Sequence, residues 1–183
     1  MRHPGPYIVI GVGRSGTSTV ARILHTKLDI FMGLEFTVNK ISCPDGTFED
    51  IVFWNMHRHM LNGELSFLAW HITVQKLIIA REKLGIPWGW KDPVTSPLIG
   101  FYISFFDNLP RIIRCDRNKS LVLRSMKKHW KLTDDVALNK YQAATMGMDR
   151  VLKHVDHLVI DFGKDKLSDD EIISRIKSKW EDI

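Results

Sequence analysis

The sequence predicts an α/β fold: a mainly parallel central sheet flanked by helices in three layers, built as one domain over residues 1–183. Two patterns in the chain predict it. Short β-branched runs alternate with longer stretches whose apolar residues recur at helical spacing, and the first run ends in a cluster of glycines that leads straight into a helix. A third observation sets the scale. The 183 residues, 44% hydrophobic and 26% charged, suffice for a real core, and no repeat, low-complexity tract or linker divides them.

Residues 7–10 read as a strand, and the helix after the glycines carries Val20, Ile23, Leu24 and Leu28 on one face. Residues 29–32 read as a second short strand, broken by Gly33, with Glu35 just beyond its carboxyl end. A helix is expected from a Thr47 cap with Glu49 and Asp50 in its first turn, and another over about 65–83, separated from it by Gly63. Residues 86–90 form an aromatic strand entering Lys91-Asp92-Pro93, where the proline pushes Asp92 out of helical geometry.

An apolar helix follows Pro97, residues 111–115 read as a strand, and the next helix runs to about Trp130. Thr133 with Asp134 and Asp135 starts a further helix, and residues 158–160 give the last strand. Ser168-Asp169-Asp170-Glu171 has capping-box form, with Ile172, Ile173, Ile176 and Trp180 on one helical face behind it. Ligands of such sheets bind at the carboxyl ends of the strands.

The formal charge of +5 suits an anionic ligand, yet basic residues alternate with acidic ones instead of forming a tail. No recognition helix, zinc finger or aromatic RNA-binding signature is present, so no nucleic-acid partner is expected. Cys43 and Cys115, far apart and outside any pairing motif, exclude a disulfide framework and suit a reducing compartment. Residues 1–6 lack the apolar core of a secretion signal, and the longest apolar stretch, 98–106, falls well short of the ~18 residues of a membrane span. A cytoplasmic location with no membrane span is the expectation. His57, His59 and His71 make no zinc spacing, and no metal is expected.

The loop Gly11-Val12-Gly13-Arg14-Ser15-Gly16-Thr17-Ser18 lies between a strand and a helix, where backbone N–H groups and a helix N-terminus bind anions. Three nucleotide patterns overlap in it. Gly11-x-Gly13-x-x-Gly16 matches the dinucleotide fingerprint of NAD-binding oxidoreductases, with Glu35 placed to bind a ribose. Gly11 and Gly16 also stand at Walker spacing, as in ATP-dependent kinases, but Thr17 occupies the position of the phosphate-binding lysine.

The third pattern accounts for more residues. Arg14-Ser15-Gly16-Thr17-Ser18 resembles the 5'-phosphosulfate loop of sulfotransferases that use 3'-phosphoadenosine 5'-phosphosulfate, in the Arg-Ser-Gly-Thr-Thr form of the tyrosylprotein and bacterial branches. Three further elements follow in the family's order. Trp88-Gly89-Trp90-Lys91-Asp92-Pro93 resembles the Lys-Asp-Pro element of tyrosylprotein and many bacterial members. Arg117 and Ser125, eight residues apart across a strand-to-helix corner, resemble the pair that binds the 3'-phosphate, although Lys119 replaces the family's proline and Arg114 is an alternative to Arg117. Glu35 stands 21 residues after Arg14, the spacing at which the tyrosylprotein branch places its general base. More loosely, Gly46-Thr47-Phe48-Glu49-Asp50 is similar to a Gly-x-Phe-Glu-Asp stretch of bacterial and viral relatives.

The resemblance implies a P-loop-like fold with a phosphosulfate-binding loop after the first strand. It implies sulfonate transfer from 3'-phosphoadenosine 5'-phosphosulfate to a hydroxyl-bearing acceptor, yielding adenosine 3',5'-bisphosphate without a metal. Gly13, Arg14, Ser15, Gly16, Thr17 and Ser18 would hold the 5'-phosphate and Arg117 with Ser125 the 3'-phosphate, while Arg14 and Lys91 act as catalytic cations and Glu35 as the base. Cations of this kind act by meeting charge that develops on the leaving oxygen. A non-catalytic nucleotide-binding domain remains compatible with the same residues. The acceptor's class and the oligomeric state leave no readable mark.

Overall fold

The computed structural model describes residues 5–37, 46–163 and 167–181, so Cys43 lies outside the described residues. Four strands, β1 (Tyr7–Gly11), β2 (Gly89–Lys91), β3 (Arg111–Asp116) and β4 (His157–Asp161), form one sheet in the order β2-β1-β3-β4, with every pairing parallel. Parallel neighbours require crossovers, and helices supply them. Helices α1 (Thr17–Lys27), α2 (Ile51–Leu61) and α3 (Phe67–Glu82) connect β1 to β2; α4 (Thr95–Ile103) connects β2 to β3. Helices α5 (Lys119–Trp130) and α6 (Asp134–Leu152) lead to β4, and α7 (Asp169–Lys179) follows it.

Every residue of β1 is buried, as expected of a central parallel strand covered on both faces. Its alternating side chains divide the core in two. Ile8 and Ile10 pack with Phe53, Trp70, Ile99 and Met148 from the α2, α3, α4 and α6 side. Tyr7 and Val9 pack on the other face with Val20, Leu24, Ile172 and Ile176 from α1 and α7. The α/β three-layer architecture is therefore present. From β1 the chain passes to β2 on one side and then back to β3 on the other, which makes the carboxyl end of β1 the switch point where such sheets open a crevice.

Two local expectations are corrected. The segment over 29–32 joins the sheet edge by one parallel bridge, Phe31 to Trp88, instead of a ladder, because the chain turns through a left-handed Asp29 (φ 53°) and touches β2 only in passing. Helix α2 starts after Asp50, not after Thr47. Asp50 Oδ1 accepts from the Val52 amide at 2.9 Å, while the Thr47 hydroxyl bonds to the Thr37 carbonyl. The other Asp50 oxygen holds Arg81 of α3 at 2.5 Å. Burial raises the Asp50 carboxyl above its usual range, with the nearby guanidinium opposing the shift. The Ser168/Glu171 capping box of α7 forms as expected. No helix among the described residues is long and apolar enough to cross a membrane.

Candidate functional site

A cleft of about 580 Å³ opens at the carboxyl end of β1, and the glycine loop forms its floor. The loop is fixed at its entrance by Ser96 of α4, whose hydroxyl accepts from the Gly11 amide at 3.0 Å and donates to the Gly11 carbonyl at 2.9 Å. The Ser15 amide closes a turn onto the Val12 carbonyl at 3.0 Å. Among the described residues the amides of Gly13 and Gly16 find no hydrogen-bond partner. With the first amides of α1 they form a cradle for an anion. Gly16 has φ +102°, and a Cβ there would lie 2.4 Å from the Phe162 ring; one on Gly13 would lie 2.3 Å from the Trp130 indole. Close approach by two aromatic rings thus excludes a side chain at both positions. Arg14, between them, takes a left-handed backbone (φ 77°) that costs a non-glycine residue about 1–2 kcal/mol.

On the β2 side of the loop stands Lys91, set by the register Val9 to Lys91 in the neighbouring strand. Its side chain is 3% exposed. The ammonium donates to Glu49 Oε1 at 2.7 Å, the Thr47 carbonyl at 3.2 Å and Ser18 Oγ at 3.3 Å, so the buried charge is both paired and hydrogen-bonded. Glu49 Oε2 accepts from Thr37 Oγ1 at 3.0 Å.

Asp92, next in the chain, accepts from the Val94 amide at 2.8 Å and meets His57 Nδ1 at 2.8 Å. His57 Nε2 lies 2.5 Å from the Tyr102 hydroxyl. All three side chains are buried. Burial, with a contribution from the Asp92 charge, holds the Tyr102 hydroxyl well above its ordinary pKa, which keeps it an O–H donor. Both ring nitrogens of His57 are thus engaged, Nδ1 by the Asp92 carboxylate and Nε2 by the Tyr102 hydroxyl.

On the β3 side the Arg14 Nε donates to Ser125 Oγ at 3.0 Å, and an Arg117 Nη donates to the Arg14 carbonyl at 3.3 Å. The structure therefore brings the loop, Arg14, Lys91 and Arg117 to one cleft at the carboxyl ends of β1, β2 and β3, with Ser125 held by Arg14 but, like Ser15, not lining it. Arg114 is engaged elsewhere, with Asp116 at 2.8 Å and Asp149 at 2.6 Å, which leaves Arg117 as the arginine of the cleft wall. Trp130, 36% exposed at the end of α5, walls the same side. His129 beside it is held below its ordinary pKa, first by desolvation and then by the charges of Arg14 and Lys128.

Glu35 is not brought in. Its side chain is exposed and does not line the cleft. The physical reason is a register: Phe36 bridges Asp50 in antiparallel fashion, and the Thr37 amide bonds to the Glu49 carbonyl. That register sets Thr37, not Glu35, beside Glu49 and puts Glu49 against Lys91. Sequence reasoning missed Glu49, Trp54 and Trp130 as cleft residues. The Gly46-Thr47-Phe48-Glu49-Asp50 stretch was the signal available for the first; the tryptophans carried none. Arg22 also lines the cleft, but its guanidinium is clasped bidentately by Asp169 at 2.7 and 2.8 Å. Among the described residues no group of three or more His, Cys, Asp or Glu side chains is gathered as a metal site.

No protein-family model and no curated protein matches the sequence. Solved structures match across nearly the whole chain. Shikimate kinase from Bacteroides thetaiotaomicron superposes with a TM-score of 0.60 at 11% identity, covering 97% of this chain and 98% of that one. The sulfotransferase domain from the curacin biosynthetic pathway gives 0.58 at 13% identity, covering 97% of this chain and 74% of that one. A sulfotransferase from Mycobacterium tuberculosis gives 0.56 at 10% identity, with coverages of 98% and 66%. At such identities the likeness establishes the fold alone, a P-loop-like α/β sheet common to kinases and sulfotransferases.

Proposed function

We propose that the protein transfers a sulfonate group from 3'-phosphoadenosine 5'-phosphosulfate to an acceptor hydroxyl. One observation supports the reading most: Arg14 of the glycine loop bonds Ser125 through its side chain and accepts from Arg117 at its carbonyl, so that a second guanidinium stands beside the loop. A nucleotide with phosphates at both ends of its ribose needs two cationic sites, whereas ATP needs one. Thr17 at the Walker lysine position points the same way, since Lys91 supplies the buried cation from a neighbouring strand. The open amides of Gly13 and Gly16 and the arginine pair fit a bisphosphorylated nucleotide.

The donor supplies a sulfonate on a phosphate leaving group, so that a bond from the acceptor oxygen to sulfur forms as the bridging sulfur–oxygen bond breaks. The chain's own residues do the rest. Loop amides and Ser18 hold the 5'-phosphate, Arg117 and Ser125 hold the 3'-phosphate, and Lys91 and Arg14 stabilise charge gathering on the departing phosphate oxygen. The proton of the acceptor hydroxyl passes to a carboxylate, and Glu49 takes that role in place of Glu35 because it faces the cleft beside Lys91.

A titration comparing adenosine 3',5'-bisphosphate with ADP, ATP and NAD at fixed salt tests the donor. Preference for the bisphosphate is expected; preference for ATP or NAD would sink the proposal in favour of phosphoryl or hydride transfer. Bisphosphate binding without turnover across an acceptor panel would instead mark a nucleotide-binding domain that is not an enzyme. Turnover of Glu49→Gln should fall by about 10²-fold or more with donor binding intact, while Glu35→Gln stays close to wild type.

A further inference from the structure

The Walker pattern that the glycine loop nearly matches puts a hydroxyl residue directly after its lysine, and in P-loop kinases and ATPases that hydroxyl holds a magnesium ion. Ser18 stands at this position. Its Oγ instead accepts from the Lys91 ammonium at 3.3 Å. The same ammonium donates to Glu49 Oε1 at 2.7 Å and to the Thr47 carbonyl at 3.2 Å. An ammonium has three N–H donors, and these three oxygens take all of them. A hydroxyl, a carboxylate and a backbone carbonyl are also the oxygen ligands that hard divalent cations choose. Their spacing decides the occupant: 2.7–3.3 Å suits N–H···O bonds and exceeds the about 2.0–2.1 Å of a magnesium–oxygen bond.

The surroundings fit the same occupant. Phe48 takes a left-handed backbone (φ 52°), disfavoured for a residue with a side chain, and its two neighbours both reach the one ammonium. Thr37 fastens those neighbours, since its Oγ1 donates to Glu49 Oε2 at 3.0 Å and its carbonyl accepts from Thr47 Oγ1 at 2.5 Å. Asp92, the acid beside Lys91 at the strand end, is spent elsewhere, with Oδ1 on the Val94 amide and Oδ2 on His57, each at 2.8 Å.

We infer that the Lys91 ammonium fills the seat that a divalent metal takes in P-loop kinases, and that removing this side chain turns the same three oxygens into a divalent-cation site. Magnesium does not fit the chain as it stands. The cation that meets the ligand is built into β2, and a nucleotide arriving with its own magnesium would set a second cation against it. The metal-free nucleotide is therefore the ligand.

Thermal melts followed by circular dichroism, with and without manganese ions, test the inference. Manganese should raise the melting temperature of Lys91→Ala by about 3 °C or more and leave wild type unchanged. The double variant Lys91→Ala/Glu49→Gln keeps the opening but lacks the carboxylate, and should not respond. No response from Lys91→Ala, or an equal rise in the double variant or in wild type, would overturn the inference. Calorimetric titration of wild type with ADP needs no variant: affinity should be equal or lower in excess magnesium than in EDTA. Tighter binding with magnesium would overturn the inference. The preference between adenosine 3',5'-bisphosphate and ATP is read in a separate titration, so the cation seat and the donor assignment can fail independently.

Discussion

The two walls flanking the glycine loop are built on opposite physical plans. On the β2 side, Lys91, Glu49, Asp92, His57 and Tyr102 are buried or nearly so, and each has a partner within 2.5–2.8 Å. On the β3 side, Arg117 is exposed, and among the described residues its one hydrogen bond is a 3.3 Å contact to a loop carbonyl. Buried pairs hold their geometry before any ligand arrives, because the alternative is an uncompensated charge in a dry interior. Exposed arginines are cheap to move and adapt to what they bind. The first wall is suited to chemistry, where fractions of an ångström matter, and the second to recognition.

The comparison is broken most forcefully at Lys91. Lys91→Met should lower turnover by about 10²–10³-fold and destabilise the fold by about 3 kcal/mol, because Glu49 loses its counter-charge in a nearly closed setting. Adding Glu49→Gln should return much of the stability and none of the turnover, as read from urea unfolding beside steady-state rates. Next comes His57→Leu, which strands Asp92 and Tyr102 and should cost about 2–3 kcal/mol, whereas His57→Asn keeps a donor for Asp92 and should cost less. Calorimetric melts of the two variants make that comparison.

Arg117→Ala should leave stability within about 0.5 kcal/mol while weakening adenosine 3',5'-bisphosphate by roughly 10–100-fold, with little change for ADP. Equal losses for the two nucleotides, measured by calorimetry, would show that the β3 wall does not read the second phosphate. The smallest effect is expected at His129, where Arg14→Ala removes one of the cations that depress the imidazole. A positive neighbour disfavours the charged form, so its removal should move the His129 titration upward when followed by NMR.

Much of the fold was legible because its signals are local. The run from Tyr7 to Ile10 ending in glycine, and the Ser168/Glu171 box, are each decided within a few residues. The strand expected over 29–32 failed because a strand needs a neighbour along its length, and this segment meets the sheet edge only at the Phe31–Trp88 bridge. Among the candidate residues, Arg14 in the glycine loop, Lys91 at the end of β2 and Arg117 just after β3 were legible as cleft residues from local signals. Glu49 was not, since its place beside Lys91 depends on an antiparallel bridge between two irregular segments, 14 residues apart at Phe36 and Asp50. The spacing that singled out Glu35 counts residues along the chain and carries no information about which of them the register turns toward the cleft.

The Ser96 hydroxyl, bonded to both the amide and the carbonyl of Gly11, divides the phosphate loop into a stationary part and a part that can swing. Residues up to Gly11 move with the sheet and with α4, so any adjustment on binding must begin beyond that point, near the left-handed backbone of Arg14. In hydrogen exchange the Gly11 amide should behave as a strand amide, protected with or without ligand. The Gly13 and Gly16 amides should exchange fast until a bound anion accepts their hydrogen bonds. The glycine loop is in this sense a hinged clasp with one leaf already fastened to the frame.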